Sequence, residues 1–348
     1  MISSIGTVNC ASVRSDTSAS VRARASRRSS KRKPAGAVLI VSPSSSTASA
    51  GNTVTAKRYA RMFALLGRAC AIEPAFAGQD AACLVALHAR KSAKSVLAYR
   101  AAYPRRRIIL VLTGTDVYRD IRHSRTAVRA MEAADVLVTL QPDAIRELPA
   151  RLRAKARAVV QSAPEKRHGA RRKGGVLRVC VLGHLRSEKD PMRAAYAVRL
   201  LDRTLNVQVV HAGGILTHRY ERAVTEEMRR NPRYRYLGEL SRAQAIALLA
   251  HSDLLVQSSR MEGGANTVCE AIACGTPVLA SRISGNTGIL GRAYPGLYDT
   301  GDSRALARLI ERAYEEPAFY ARLQRACEKL RPLVNPKREL RAWRELLA

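Results

Sequence analysis

Residues 253–280 read DLLVQSSRMEGGANTVCEAIACGTPVLA, and this stretch decides the predicted fold. The apolar run at 253–257 has the length and composition of a buried strand. A loop containing Gly263 and Gly264 follows, and the apolar periodicity of 266–274 predicts a helix. Gly275-Thr-Pro-Val then leads into a further apolar run at 277–280. A strand, a helix and a second strand in succession predict a βαβ unit, the repeating element of a parallel sheet.

The same alternation extends through most of the chain. Further strands are predicted at 37–41, 82–87, 108–112, 135–140, 157–161, 177–182, 207–212 and 234–237. Further helices are predicted at 53–66, 91–102, 191–202, 217–230, 241–250 and 303–315. The predicted fold class is therefore α/β, with two Rossmann-like, doubly wound domains facing each other across a cleft. Such sheets bind ligands at the carboxyl ends of their strands.

Composition divides the chain into five predicted segments. The first α/β domain is expected at 36–162 and the second at 176–316, separated by a linker at 163–175 that carries Gly, Pro and charge. Residues 317–348 are predicted to be helical and are a candidate to cross back onto the first domain.

Residues 1–35 are rich in Ser, Ala and Arg and contain a single acid, Asp16, so they cannot bury a core. Two explanations of this basic segment stay open. An Arg- and Ser-rich, acid-poor leader is typical of an organelle transit peptide. A disordered tail or a misplaced start codon is the explanation we favour, because no apolar face develops.

The net charge of +32 arises from 60 Lys and Arg against 28 Asp and Glu. The cations are spread over nearly every predicted helix, which does not favour nucleic acid as the main partner, but their field should attract phosphorylated small molecules. No run of 18 apolar residues occurs, so no stable insertion into a membrane is expected.

The seven cysteines are odd in number and form no C-x-x-C pair. This pattern disfavours a disulfide framework and a zinc site. Most of them lie in apolar runs, which indicates buried thiols in a reducing compartment, and we expect a cytoplasmic protein.

The loop after 253–257 is a candidate site for a diphosphate. Its backbone N–H groups open a helix, where glycine lets an anion come close and the helix dipole attracts it. Glu262 lies in the loop within reach of sugar hydroxyls, and Glu270 lies about one turn into the helix within reach of a ribose. The alternative is a core helix with two surface acids. The candidate residues here are Glu262, Gly263, Gly264, Ala265, Asn266 and Glu270.

Three loops of the first domain are candidates for the acceptor site. Gly51 and Asn52 belong to a small-residue loop at 42–53 that either holds an anion near its amides or is a flexible connector. His88, Arg90 and Lys91 follow the predicted strand 82–87; there His88 is either structural or, beside two cations, a ligand for a doubly charged acceptor and a candidate catalytic residue.

The third of these loops contains Thr113, Gly114 and Asp116 after the predicted strand 108–112. Thr113 and Gly114 are candidate acceptor-binding residues. Asp116 is a candidate catalytic residue that could orient a substrate hydroxyl or act as a base. It could equally cap the short helix that follows.

The Glu-x7-Glu spacing of Glu262 and Glu270, followed by Gly-x-Pro-Val, resembles the donor site of retaining GT-B glycosyltransferases. The resemblance implies that the first Glu meets the sugar and the second the ribose. It also implies a cationic grip on the pyrophosphate after the first strand of the second domain, where Arg186 and Lys189 stand. A guanidinium fork and an ammonium suit a diphosphate well. Metal-dependent transferases use an Asp-x-Asp motif that is missing from the sequence, so no metal and no cofactor are expected.

Several segments together are similar to the selenosugar synthases of selenoneine biosynthesis, over roughly 37–347. They are 51–56, 86–93, 113–118, 262–266, 280–286 and 332–343. The resemblance implies transfer of a sugar, typically N-acetylglucosamine, from a UDP-sugar to selenophosphate, giving a 1-selenosugar, UDP and phosphate. Two alternatives stay open: a conventional GT-B hexosyltransferase acting on a lipid, sugar or small molecule, and a nucleic-acid-binding or scaffold protein on an inactive transferase fold.

Overall fold

The computed structural model describes residues 37–43, 51–165 and 175–348, and residues 36–348 form one compact unit. The predicted tail at 1–35, part of the loop at 42–53 and most of the predicted linker lie outside the described residues. The described part contains two sheets of six strands each, with every strand pairing parallel. The predicted α/β class with two parallel sheets is confirmed.

The N-terminal lobe contains the strands β1 Val38–Val41, β2 Cys70–Glu73, β3 Cys83–Leu87, β4 Arg107–Leu112, β5 Val136–Thr139 and β6 Ala156–Ala158, in the order β2-β1-β3-β4-β5-β6. Its helices are α1 Gly51–Leu65, α2 Ala93–Ala102, α3 Ile121–His123, α4 Arg125–Ala133, α5 Ala144–Glu147 and α6 Ala150–Arg153. A π-helical turn, Asp116–Asp120, precedes α3.

The strands of this lobe are apolar throughout because both faces of the sheet are covered. Alternate residues of β4 show this: Ile108 and Leu110 join the core beneath α2 and α4, whereas Ile109 and Val111 join the core beneath α1. Side chains alternate between faces along a strand, so a strand covered on both sides has no polar positions.

The C-terminal lobe contains β7 Leu177–Leu182, β8 Val207–Ala212, β9 Tyr234–Tyr236, β10 Leu254–Gln257, β11 Val278–Ser281 and β12 Leu297–Tyr298, in the order β12-β11-β10-β7-β8-β9. Its helices are α7 Arg193–Val198, α8 His218–Arg230, α9 Arg242–Ala250, α10 Asn266–Cys274, α11 Ser284–Leu290, α12 Ser303–Glu315 and α13 Pro317–Leu330. None of the described helices is long and apolar enough to cross a membrane.

The last helix, α14 Pro336–Leu347, packs on the N-terminal lobe. Its Trp343 is fully buried, with ring centroids 4.5 Å from Tyr59 and 5.0 Å from Phe63. Buried Glu339 accepts a hydrogen bond from Arg58 at 2.7 Å and one from the amide of Ser162 at 2.6 Å. Helix α14 therefore completes a core whose other members come from the start of the chain.

Two predicted elements are shorter in the structure, and several observed elements, among them the helices α3 to α6 and α11, were not predicted. The strand predicted at 157–161 is Ala156–Ala158, because only this part pairs with β5 at the sheet edge. The helix predicted at 191–202 is shorter, Arg193–Val198. The strands β2 and β12 were not predicted, since one is half-exposed and the other has two residues.

Candidate functional site

Two loops of the C-terminal lobe meet where the strand order reverses. Strand β7 lies between β8 and β10, so the loops after β7 and β10 flank the switch point at the carboxyl ends of adjacent strands. The amide of Arg260 donates to the carbonyl of Glu188 at 2.8 Å, and the Ser258 hydroxyl donates to the carbonyl of Asp190 at 2.9 Å. The two loops therefore form one continuous surface.

Glu262 and Lys189, predicted in separate motifs, lie in direct contact on this surface. The Lys189 ammonium donates to Oε1 of Glu262, and so do the Ser259 hydroxyl at 2.6 Å and the Gln257 amide at 3.0 Å. In the described part of the chain, Oε2 of Glu262 accepts no hydrogen bond. The carboxylate is thus fixed through one oxygen, and the other is available to a substrate hydroxyl.

Gly263 and Gly264 lie against the N-terminal lobe. A Cβ atom on Gly263 would stand 2.3 Å from the carbonyl oxygen of Thr113 and 2.7 Å from the amide nitrogen of Gly114. A Cβ atom on Gly264 would stand 2.5 Å from Cβ of Leu140. Glycine at these positions therefore permits close approach of the two lobes, a role that the sequence did not reveal.

Helix α10 begins four residues after Glu262, and its N-terminus has no side-chain cap in the described part of the chain. The residue before the helix is Ala265. The amide of Val268 donates to the carbonyl of Ala265 at 3.0 Å, whereas those of Asn266 and Thr267 have no intrahelical partner. The helix dipole favours an anion there. Asn266, in the first turn of α10, and Arg186, in the loop after β7, are both exposed, and Lys189 is partly exposed.

Glu270 lies deeper, at 13% exposure of its side chain, and its Oε1 is 3.0 Å from the Arg242 guanidinium. Burial raises the pKa of Glu270, and the charges of Arg242 and Arg58 oppose that shift. Arg242 was not a predicted site residue. It begins α9, and only the packing of α9 against α10 brings it to Glu270.

Two non-glycine residues of the described chain have a left-handed backbone, His88 at φ 72° and Asp190 at φ 45°. Both follow strands at the carboxyl edges, after β3 and after β7. Such conformations are strained for residues with a Cβ and cluster at functional sites. This strain independently marks the loops that the sequence singled out.

His88 is buried at the carboxyl end of β3, with Nε2 2.9 Å from the Thr115 hydroxyl. Burial lowers its pKa, and Lys91 and Arg90 act in the same direction against Asp116 and Asp120. The imidazole is therefore neutral near pH 7, and it offers a hydrogen bond rather than a positive charge.

Asp116 is fully buried and is surrounded by backbone amides. Its Oδ2 accepts from Ala89 at 2.9 Å and Thr113 at 3.1 Å, and its Oδ1 accepts from Gly114 at 2.7 Å and Val117 at 3.2 Å. A carboxylate engaged in this way organises the two loops after β3 and β4. The residue that caps the following turn is Thr115, without a side-chain hydrogen bond, and not Asp116 as one of the two predictions had it; the catalytic role of Asp116 stays a prediction.

Arg90 and Lys91 are exposed, in the loop that begins α2. Thr113 and Gly114 contact Gly263 across the lobes, which places the predicted acceptor loop beside the predicted donor loop. Asn52 is partly exposed in the first turn of α1, which begins at Gly51; residues 44–50 before it lie outside the described residues.

The sequence missed several side chains that hold these groups in place. Gln257 ends β10 and links Glu262 to Thr267, and Gly285 packs so closely on Glu262 that a Cβ would stand 2.2 Å from its carbonyl oxygen. Asp120 contacts Arg90 at 2.9 Å. Gln257 ends strand β10 just before the loop of Glu262, and Asp120 ends the π-helical turn that begins with Asp116. Their positions next to predicted site residues were the only indication in the sequence that they belong to the site.

Residues 162–330 match the family described as Glycosyl transferases group 1. No curated protein matches the chain. Three solved structures are similar to it. HepE of Anabaena in complex with UDP-glucose is 14% identical and has a TM-score of 0.66, over 90% of this chain and 98% of that chain. The sucrose-phosphate synthase of Thermosynechococcus elongatus is 14% identical, with a TM-score of 0.69 over 89% and 98%.

The third structure is a UDP-forming α,α-trehalose-phosphate synthase of Burkholderia xenovorans in complex with glucose-6-phosphate. It is 13% identical, with a TM-score of 0.59 over 76% of this chain and 72% of that chain. Likeness at such identities shows the fold, and it is the predicted GT-B arrangement of two Rossmann-like lobes.

Proposed function

We propose that the chain transfers a sugar, N-acetylglucosamine, from its UDP conjugate to selenophosphate in selenoneine biosynthesis. The match of residues 162–330 to the family of group 1 glycosyl transferases supports the sugar-transfer part of this proposal. The observation that carries this proposal is the contact of Lys189 with Glu262 at the switch point, four residues before helix α10, whose N-terminus has no side-chain cap in the described part of the chain. A similar structure, HepE, is described in complex with UDP-glucose, which supports a UDP-sugar as donor.

The donor half of the proposal follows from charge. When the bond from the anomeric carbon to the diphosphate breaks, negative charge grows on UDP, and preorganised cations and amides stabilise it. Lys189 uses one N–H on Glu262 and keeps two for the diphosphate, and Arg186 is free to approach. These groups act in place of a metal ion. Glu262 holds the sugar through Oε2, and Glu270 receives the ribose.

The acceptor half rests on the cations beside the contact of Gly114 with Gly263. Selenophosphate is a dianion with a soft nucleophilic selenium, so it needs positive charge more than it needs a base. Arg90 and Lys91 supply that charge, and neutral His88 supplies a hydrogen bond. Selenium forms a bond to the anomeric carbon as UDP leaves. Water then cleaves the selenium–phosphorus bond, releasing phosphate and the 1-selenosugar.

A sugar phosphate is a second candidate acceptor. The trehalose-phosphate synthase of similar fold is described with glucose-6-phosphate, and the same cations could hold that phosphate group here. In that case a sugar hydroxyl attacks and no selenium is involved. The two candidates share the phosphate group and differ in the attacking atom.

The test is to incubate the purified chain with UDP-N-acetylglucosamine and selenophosphate under anaerobic, reducing conditions. Mass spectrometry should detect a selenium-containing sugar and UDP, each dependent on both substrates. Glucose-6-phosphate in place of selenophosphate tests the second candidate in the same assay. UDP release with a sugar phosphate but without selenosugar would reject selenophosphate, and no UDP release with any UDP-sugar would reject the transferase.

The matched variants are Glu262→Gln and Glu316→Gln, which remove one acid each. Glu316 pairs with Arg312 on the surface at 2.9 Å, outside both loops. Product should disappear with the first and persist with the second. Equal rates for the two variants would refute the donor-site assignment.

A further inference from the structure

Asp120 ends the π-helical turn, and three nitrogen-bearing side chains converge on its carboxylate. Its Oδ2 accepts from Nε of Arg90 at 2.9 Å, and Oδ1 is 3.5 Å from Nε of Arg119. Oδ2 is also 3.8 Å from Nε2 of His88. The Asp120 side chain is 6% exposed, whereas those of Arg90 and Arg119 are 49% and 51% exposed. One buried carboxylate thus anchors two exposed guanidiniums.

Both arginines meet Asp120 through Nε. A guanidinium carries five N–H groups, of which one is on Nε and four are on the Nη atoms. In the described part of the chain, the Nη atoms of Arg90 and Arg119 make no hydrogen bond. The two Nη atoms of each arginine can therefore donate a pair of parallel hydrogen bonds to a ligand. This planar arrangement matches the oxygens of a phosphate group.

Arg119 belongs to the edge of the N-terminal lobe that meets the donor loop. The π-helical turn Asp116–Asp120 that carries Arg119 closely follows Gly114, and Gly114 lies against Gly263 of the donor loop. The charge of Arg119, with that of Arg186, also contributes to lowering the pKa of Glu188, after a backbone hydrogen bond.

We propose that Arg119 and Arg90 form a two-guanidinium clamp that binds a phosphate-type dianion as the acceptor. Asp120 is the positioning residue that holds the two arginines together. The Asp120 carboxylate neutralises one of the two charges and prevents the side chains from separating. The remaining charge, with Lys91 adjacent in the chain, suits a doubly charged group. The inference rests on the proposed function for its place in the reaction, but binding of the anion is independent of it.

The test measures binding of inorganic phosphate to the full chain by calorimetry, with UDP present in excess to occupy the donor site. Arg119→Ala should weaken phosphate binding about tenfold or more, as expected for charge-assisted hydrogen bonds. Asp120→Asn should weaken it about fivefold while the affinity for UDP and the unfolding temperature stay close to the parent values. The control is Arg122→Ala. It removes the same charge, but Arg122 pairs with Glu147 at 3.7 Å and is not part of the clamp.

A combined variant separates positioning from a general structural effect. Because Asp120 anchors both arginines, Asp120→Asn should add little to the double variant Arg90→Ala/Arg119→Ala, whereas independent effects would multiply. The clamp is overturned if the parent binds no phosphate beside UDP, if Arg122→Ala weakens binding equally, or if the two effects multiply. Intact phosphate binding without selenosugar formation would instead reject the proposed acceptor and retain the clamp.

Discussion

Gly263→Ala places a single methyl group where the two lobes touch. The new Cβ would stand 2.3 Å from the Thr113 carbonyl oxygen, and ordinary contacts begin at 3.4 Å, so backbone must move by about 1.1 Å. The neighbouring atoms also belong to backbone, which cannot rotate away. A displacement of about 1 Å between reacting groups lowers the rate of transfer roughly 100-fold. The C-terminal lobe alone carries the predicted UDP ligands, so we expect UDP affinity to change less than about threefold, a small loss on the scale of one hydrogen bond.

The assay compares kcat/KM for sugar transfer with the Kd for UDP in the same variant. The control is Gly67→Ala, at φ +71° with open space around it, which strains the chain without reaching the cleft. It should lower stability by about 1–2 kcal/mol and leave transfer unchanged. Equal losses in transfer and UDP binding would show that Gly263 serves approach of the diphosphate, as the sequence indicated. Unchanged transfer would mean that the lobes do not touch here during the reaction.

Three further predictions address charge, pH and packing. Glu262→Gln should lower kcat at least about 100-fold in the transfer assay, because the amide loses the charge that holds Lys189. Burial lowers the pKa of His211 to about 4, below its ordinary value of 6.5, so its stabilising contribution is complete above pH 6.5 and is lost towards pH 4. Denaturant titrations should show about 2 kcal/mol lost at pH 5, and less in His211→Gln. Trp343→Ala should lower the free energy of unfolding by about 3–5 kcal/mol in the same titrations, since the side chain is fully buried against Tyr59 and Phe63.

The fold was predictable because its strands are continuous apolar runs. Strand β4, Arg107–Leu112, is buried on both faces, as expected for a strand of a parallel sheet covered by helices on both sides. Strand β2 escaped prediction because all four of its residues are intermediate or exposed at the edge of the sheet. Edge strands bury less surface, so the sequence is less constrained there.

The sequence predicted neighbouring residues of the candidate site only where those residues follow the carboxyl ends of adjacent strands. Lys189 and Glu262 follow adjacent strands, and their neighbourhood follows from the topology of a doubly wound sheet. Arg119 was not among the predicted site residues. The orientation of its side chain depends on the π-helical turn and on Asp120, and no apolar periodicity in the sequence indicates that turn. The sequence indicated that Gly263 lets an anion come close, but in the structure this glycine also lets the two lobes touch. That second role could not be predicted, since the contacting residues lie in the other lobe, about 150 residues earlier in the chain.

Helix α14 has a consequence for the order in which the protein becomes folded during synthesis. The core around Tyr59 and Phe63 lacks Trp343 until nearly the whole chain has been translated. At about 5–20 residues per second, the interval from α1 to α14 lasts roughly 15–60 s. During that time the core beneath α1 lacks the side chains of α14, while the second lobe completes its own core from residues 163–334. The lobe that is made first is therefore the lobe whose core is completed last.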